Sequence, residues 1–156
     1  MRWTRTGIVV LTGLTLLAPP AASVAAEDVA PTAQKTSDVL VARPAEVDFK
    51  SKKVGTENYK RTKITNSGPA AVRLLTSAGL PDDFGYGLMP GQTCPVFDPG
   101  DIIAAGGSCY AVVRFSPTEG FVGWQAMGTL IGTARDPDTG AVVDEIEIPV
   151  LGRAVL

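Results

Sequence analysis

The chain of 156 residues contains no histidine. That removes the usual general base near neutral pH, the serine and cysteine triads built on His, and most zinc sites. Cysteine is scarce, with Cys94 and Cys109 the only two. Neither sign of charge dominates: 14 Lys+Arg against 16 Asp+Glu give a net charge of −2. A nucleic-acid binder needs a basic surface that releases counterions from phosphates, and this balance argues against one. After the N-terminus no apolar run reaches the ~20 residues of a membrane helix. No segment sustains a helical period. What is present is 45% hydrophobic residues, enough for a core, cut into short elements by 17 Gly and 12 Pro. The length allows a single domain.

Residues 1–26 read as a secretory signal. Arg2 and Arg5 form the positive start, Gly7 to Leu17 the apolar centre, and Val24-Ala25-Ala26 places small residues before a cut at Glu27. The apolar centre is too short to span a bilayer. Removing the signal takes two of the 14 basic residues and no acidic one, leaving 12 against 16, net −4, and no membrane span. Residues 27–37 are small, polar and Pro/Ala-rich, the composition of a flexible leader. The domain is expected over 38–156, in a secreted or periplasmic protein. An oxidising compartment favours pairing Cys94 with Cys109. Their bond closes a loop of 15 positions, worth about 3 kcal/mol in the chain-entropy account. The rival reading, two free or metal-binding thiols, has no histidine to complete a ligand set.

From residue 39 the apolar pattern has period two. Val39 to Ala42 is a strand that Pro44 confines to a sheet edge. Val47 and Phe49 alternate with Asp48 and Lys50; Thr62 and Ile64 share one face; Asn66-Ser67-Gly68-Pro69 is turn chemistry. Ala71 to Leu75 follows, then an irregular stretch, 81–107, rich in Gly and Pro. The clearest strand places Cys109, Ala111, Val113 and Phe115 on one face. Gly123 to Ala134 and Ala141 to Leu151 complete the set, the latter aligning Ile146, Ile148 and Val150. About seven short strands with turns at these spacings predict an all-β, immunoglobulin-like antiparallel β-sandwich.

The order of motifs is also informative. Val47-Asp48-Phe49, Val54-Gly55-Thr56 and Ile64-Thr65-Asn66-Ser67-Gly68 open the domain; Ala104 to Cys109 and Val113-Arg114-Phe115-Ser116-Pro117 form its middle; Val150-Leu151-Gly152 ends it. This series resembles the immunoglobulin-like domains of bacterial choice-of-anchor D proteins, akin to the abnormal-spindle-like (ASH) and major-sperm-protein-like sandwiches. It covers about residues 38–155. The resemblance implies a binding or structural module with no catalytic residues to carry over, and no metal or cofactor is expected. One departure is Lys50, where the family usually has glycine after the Phe.

Several residues could carry chemistry and each has a plainer reading. Asp138-Thr139-Gly140-Ala141 spells the aspartic-protease signature, but that chemistry needs two carboxylates sharing a proton, hence a homodimer, and a hairpin turn accounts for it better. Asp136, Asp138 and Gly140 mimic part of a calcium loop that lacks its closing acid in a helix. Asp82, Asp83, Asp98 and Asp101 could include a glycosidase pair, or be solvated loop residues. Lys50, Lys52, Lys53, Lys60, Arg61 and Lys63 could meet an anionic polymer or simply guard an edge. Tyr86, Phe97 and Trp124 are the candidate contact residues, either a sugar platform or core and loop packing. The expectation is a non-catalytic interaction or structural module binding an unknown protein or cell-envelope partner through loop 81–107 and strand edges. A glycan-binding module and a small hydrolase are the alternatives.

Overall fold

A computed structural model describes residues 39–156. The predicted signal, 1–26, and leader, 27–37, lie outside the described residues. Nine strands follow one another: β1 (Leu40–Arg43), β2 (Val47–Lys53), β3 (Asn58–Asn66), β4 (Val72–Gly79), β5 (Phe84–Tyr86), β6 (Asp101–Ile103), β7 (Ser108–Phe115), β8 (Gln125–Arg135) and β9 (Val142–Val155). They form two sheets, β1-β3-β7-β5 and β2-β9-β8-β4-β6. The expected all-β sandwich is present, with nine strands rather than seven. The two extra strands, β5 and β6, are three residues each and lie inside the stretch read as irregular. Runs that short carry no alternation to detect.

Alternation explains the packing. Leu40, Ile64, Val113 and Phe115 point inward from the first sheet; Val47, Phe49, Leu74, Leu130, Ile148 and Val150 point inward from the second, and all are buried. Each contributes roughly 1.5–3 kcal/mol on burial. Ile146, expected alongside Ile148, is only partly buried and packs on the rim of this core. The rings of Phe49, Phe84 and Phe115 meet at centroid separations of 5.4, 6.0 and 4.6 Å. Gly152 lies against them: a Cβ there would sit 2.8 Å from the Phe115 ring. β9 runs past its expected end at Leu151 because β2 and β8 both pair with it there, Ser51 and Gln125 each standing opposite Arg153. Its inward positions there are Gly152 and Ala154, small residues that leave room for the ring and do not register as core in a hydrophobic pattern.

One pairing departs from the antiparallel pattern. β2 runs parallel to β9, with Val47 opposite Val150, and its register slips between Asp48 and Ser51. The slip falls at Lys50, which has φ +58°. Left-handed backbone costs a non-glycine residue about 1–2 kcal/mol, so the glycine that the resemblance leads one to expect at this position has a physical reason. Here Asp48 partly compensates. Its carboxylate accepts the Lys50 N–H at 2.7 Å and pairs with the Lys50 ammonium. That hydrogen-bonded ammonium holds the Asp48 carboxyl below its usual pKa. The pair is exposed and adds little. Lys50→Gly is therefore expected to raise stability by about 0.5–1 kcal/mol. Urea unfolding with an unchanged or lowered midpoint would show that the aspartate fully offsets the strain.

Candidate interaction surface

The long stretch 81–107 is held to both sheets. Cys94 and Cys109 form a disulfide, buried among the core residues. Beside it, residues 92–94 run along the edge of β7 as a substitute strand. The Gln92 Oε1 accepts the Val112 N–H at 2.6 Å and the Thr93 Oγ1 accepts the Tyr110 N–H at 2.7 Å. The Tyr110 carbonyl accepts the N–H groups of Thr93 and Cys94, both at 2.9 Å. Next, the Pro95 carbonyl accepts the Thr76 N–H and hydroxyl from β4, and Arg73 reaches the Gly100 carbonyl at 3.2 Å. Side-chain amide and hydroxyl thus saturate a sheet edge that would otherwise offer free donors.

Tyr86 belongs to this framework. Its hydroxyl donates to Thr76 Oγ1 and accepts from Gln92 Nε2 at 3.1 Å. Burial pushes its phenol above the usual pKa, against the opposing effect of those bonds. Phe97 sits at the turn closed by the Gly100 N–H on the Phe97 carbonyl and is 66% exposed. Trp124 is 73% exposed. It stands on the connection between β7 and β8, where a short 3₁₀ turn, Glu119–Phe121, leads into Gly123 at φ +84°. The Trp124 N–H donates to the Phe121 carbonyl at 3.0 Å and the Gly123 N–H to Ala154, so the backbone beneath the indole is fixed.

The three candidate contact residues do not converge. Trp124 instead joins Pro81, Phe121 and Met127 around a shallow depression of about 470 Å³ that neither Tyr86 nor Phe97 lines. Met127 is 63% exposed. Pro81 escapes a local reading because it stands in the connection between β4 and β5, far from Trp124 in sequence. Met127 falls on an outward position of β8, where alternation predicts exposure and assigns no role.

The carboxylates have individual duties. Asp136 opens the hairpin turn between β8 and β9 and accepts the N–H groups of Asp138 and Thr139 and the Thr139 hydroxyl. Those bonds, the Thr139 N–H first, hold its carboxyl below the usual range. Asp138-Thr139-Gly140 is the rest of that turn, with Gly140 at φ +72°. Asp83 is buried and accepts the Thr118 hydroxyl at 3.0 Å. Asp144 is buried and accepts the N–H groups of Val39 and Leu40, both at 2.9 Å. Among the described residues no group of three or more His, Cys, Asp or Glu could hold a metal ion.

The basic stretch is divided by the fold. Lys50 pairs with Asp48, and the Lys60 ammonium donates to the Asp48 carbonyl at 2.6 Å. Lys52 and Lys53 lie on β2 at the edge of the second sheet. Arg61 and Lys63 face outward from β3, where strand pairing adds Arg43 and Arg114. Neither of these belongs to the stretch in sequence.

This arrangement of strands is an immunoglobulin-like β-sandwich, a fold also seen in solved ASH and PapD-like domains. The chain is similar over 97% of its length to 98% of a PapD-like ASH domain of human CEP192, with a TM-score of 0.53 and 11% identity. Two nematode structures are also similar, each to 73% of this chain. SSP-19, an MSP-domain protein-like family member of Caenorhabditis elegans, is covered over 99% at a TM-score of 0.47 and 11% identity. WR4, a C. elegans MSP family member, is covered over 97% at 0.45 and 10%. No protein-family profile and no curated protein sequence matches the chain.

Proposed function

We propose that this chain is a non-catalytic interaction module working outside the cytoplasm, with residues 1–26 as its export signal and a domain over 38–156. The observation that carries the reading is the Trp124 depression: two large apolar side chains, Trp124 and Met127, stand exposed together on a backbone pinned by hydrogen bonds. Large exposed apolar groups that adjoin one another mark contact surfaces. A rigid tryptophan supplies much contact area at small entropic cost, which suits a protein partner. The buried disulfide supports the extracytoplasmic placement, since such bonds persist in oxidising compartments. The ASH and PapD-like fold agrees with a module that presents contacts on a stable frame.

Trp124→Ala and Met127→Glu are expected to abolish recovery of a partner protein by the tagged domain from its native envelope fraction while leaving thermal unfolding within ~2 °C, as befits exposed positions. Equal recovery with wild type and both variants would refute this surface. The exposed indole also favours a second reading, a sugar platform. Binding of neutral oligosaccharides by wild type, lost in Trp124→Ala, would replace the protein partner with a glycan.

A further inference from the structure

We infer that the outer face of the first sheet is a binding track for a linear acidic polysaccharide, a glycan carrying carboxylate along its length. Strand pairing builds the track from residues far apart in sequence. Arg43 on β1 stands opposite Lys63 on β3. Arg61 is two residues back on the same face of β3. Arg114 on β7 stands opposite Tyr59, diagonal to Arg61. Sheet geometry sets these steps at about 5 Å across the pair, about 7 Å along the strand and about 7–8 Å on the diagonal. The result is an oblique row of four cations at the charge spacing of a polymer with one acid per sugar or two.

Three of the row's four cations are unopposed. Every outward position of β1, β3, β5 and β7 is basic or uncharged. Glu57, just ahead of β3, pairs with Arg114 at 3.3 Å and accepts the Tyr59 hydroxyl at 3.2 Å. Arg43, Arg61 and Lys63 have no carboxylate partner among the described residues. Arg61 lies 4.7 Å from the centroid of the Tyr110 ring. That contact holds the guanidinium over the ring, and its N–H groups can still meet a carboxylate fork. Three cations without a carboxylate partner thus share this face.

Shape decides between ligands. The face is a flat sheet surface, so a single small anion would meet one solvated charge at a time and gain little. A polymer engages several at once, and each further contact is effectively intramolecular. An acidic protein would require a desolvated apolar anchor at the centre of its footprint. Of the exposed large hydrophobics that stand on strands, Tyr59 alone belongs to the first sheet; Ile102, Met127, Val142 and Val143 lie on the second. The inference goes beyond the protein-contact surface at Trp124 and depends on that reading only for the compartment in which the polymer is met.

The test uses polygalacturonate as probe and calorimetry or affinity electrophoresis at low and at 0.5 M salt. Wild type is expected to bind, with affinity falling steeply at high salt as exposed charges are screened. Arg61→Glu with Lys63→Glu is expected to abolish binding, and Arg43→Ala alone to weaken it by about twofold to fivefold. These side chains are exposed, so unchanged thermal unfolding shows that the loss is local. Trp124→Ala is expected to bind polygalacturonate as wild type does, which separates this track from the protein-contact surface. No binding by wild type, or binding that survives the double charge reversal, would overturn the inference. Poly-glutamate held as tightly as polygalacturonate would overturn it too, in favour of an acidic peptide.

Discussion

Asn66→Asp is expected to lower the unfolding free energy at neutral pH by about 3 kcal/mol or more, although it changes neither side-chain volume nor shape. Asn66 ends β3 inside the protein and is fully buried. Its amide Nδ2 donates toward the carbonyls of Ala70, Ile103 and Ala104 at 2.8, 3.1 and 3.2 Å, and its Oδ1 accepts the Gly68 N–H at 3.0 Å. Its backbone joins Gly107 and Gly106 at 2.9 and 2.8 Å. One side chain therefore ties the turn after β3 to the loop that links β6 and β7. An aspartate keeps the acceptor and turns the donor into a second anionic oxygen facing three carbonyls. A buried polar contact made repulsive costs about 1–3 kcal/mol, and more for a charged group. Burial against those carbonyls raises the folded-state pKa of the introduced carboxyl above its unfolded value. The penalty is then fullest above the folded pKa and shrinks as pH falls through it, because the protonated acid can donate one hydrogen bond. Urea unfolding at pH 7 and at pH 4.5 measures both parts, with a smaller gap to wild type at the lower pH. Asn66→Ala lacks the charge and is expected to cost about 2–3 kcal/mol at both pH values. A gap that does not narrow on acidification would show that the carboxylate escapes to water.

Asn66 illustrates how the sequence bears on the fold. Turn chemistry at Asn66-Ser67-Gly68-Pro69 is legible locally, because its partner at Gly68 is two residues on. Its hold on Ile103 and Ala104 spans 37 and 38 positions and exists only once the sheets are stacked. The same division runs through the molecule. Alternation in Cys109 to Phe115 identifies β7 and its inward face, since period two is a property of the strand itself. Alternation assigns Val112 to the outside, yet Val112 is buried, beside the segment whose Gln92 Oε1 accepts its N–H. Pairing partners are invisible in the same way. A parallel β2–β9 contact joins residues about a hundred positions apart and leaves no mark on either strand. The candidate surfaces follow suit. Trp124 is recognisable as an aromatic of interest, but Pro81 meets it only through the fold. Arg61 and Lys63 are visible as a basic pair, while Arg43 and Arg114 join them only by register.

Removing the disulfide by Cys94→Ala with Cys109→Ala is expected to cost about 3 kcal/mol, the entropy of a 15-residue loop released in the unfolded chain. For a domain whose total stability is of the order of 5–15 kcal/mol that is a large share. Most of the loss enters through the unfolded state, so the folded outline should survive: Gln92, Thr93 and Pro95 still bond β7 and β4. The local consequence is more specific. Both sulfurs sit in the core, and without them the substitute strand at 92–94 is held by hydrogen bonds alone. Hydrogen exchange should then accelerate at the Val112, Tyr110 and Thr76 amides, which donate to this segment, well before the Ile64 and Leu130 amides that lie within the sheets. Uniform acceleration across all five would mean that the bond acts only on global stability. An unchanged urea midpoint would mean that the loop is already closed by Tyr86, Thr76 and Gln92. The expected pattern, local opening along one edge of β7, would expose a row of backbone donors that the native protein keeps covered. It would thereby link the sulfur chemistry of the compartment to the control of an aggregation-prone edge.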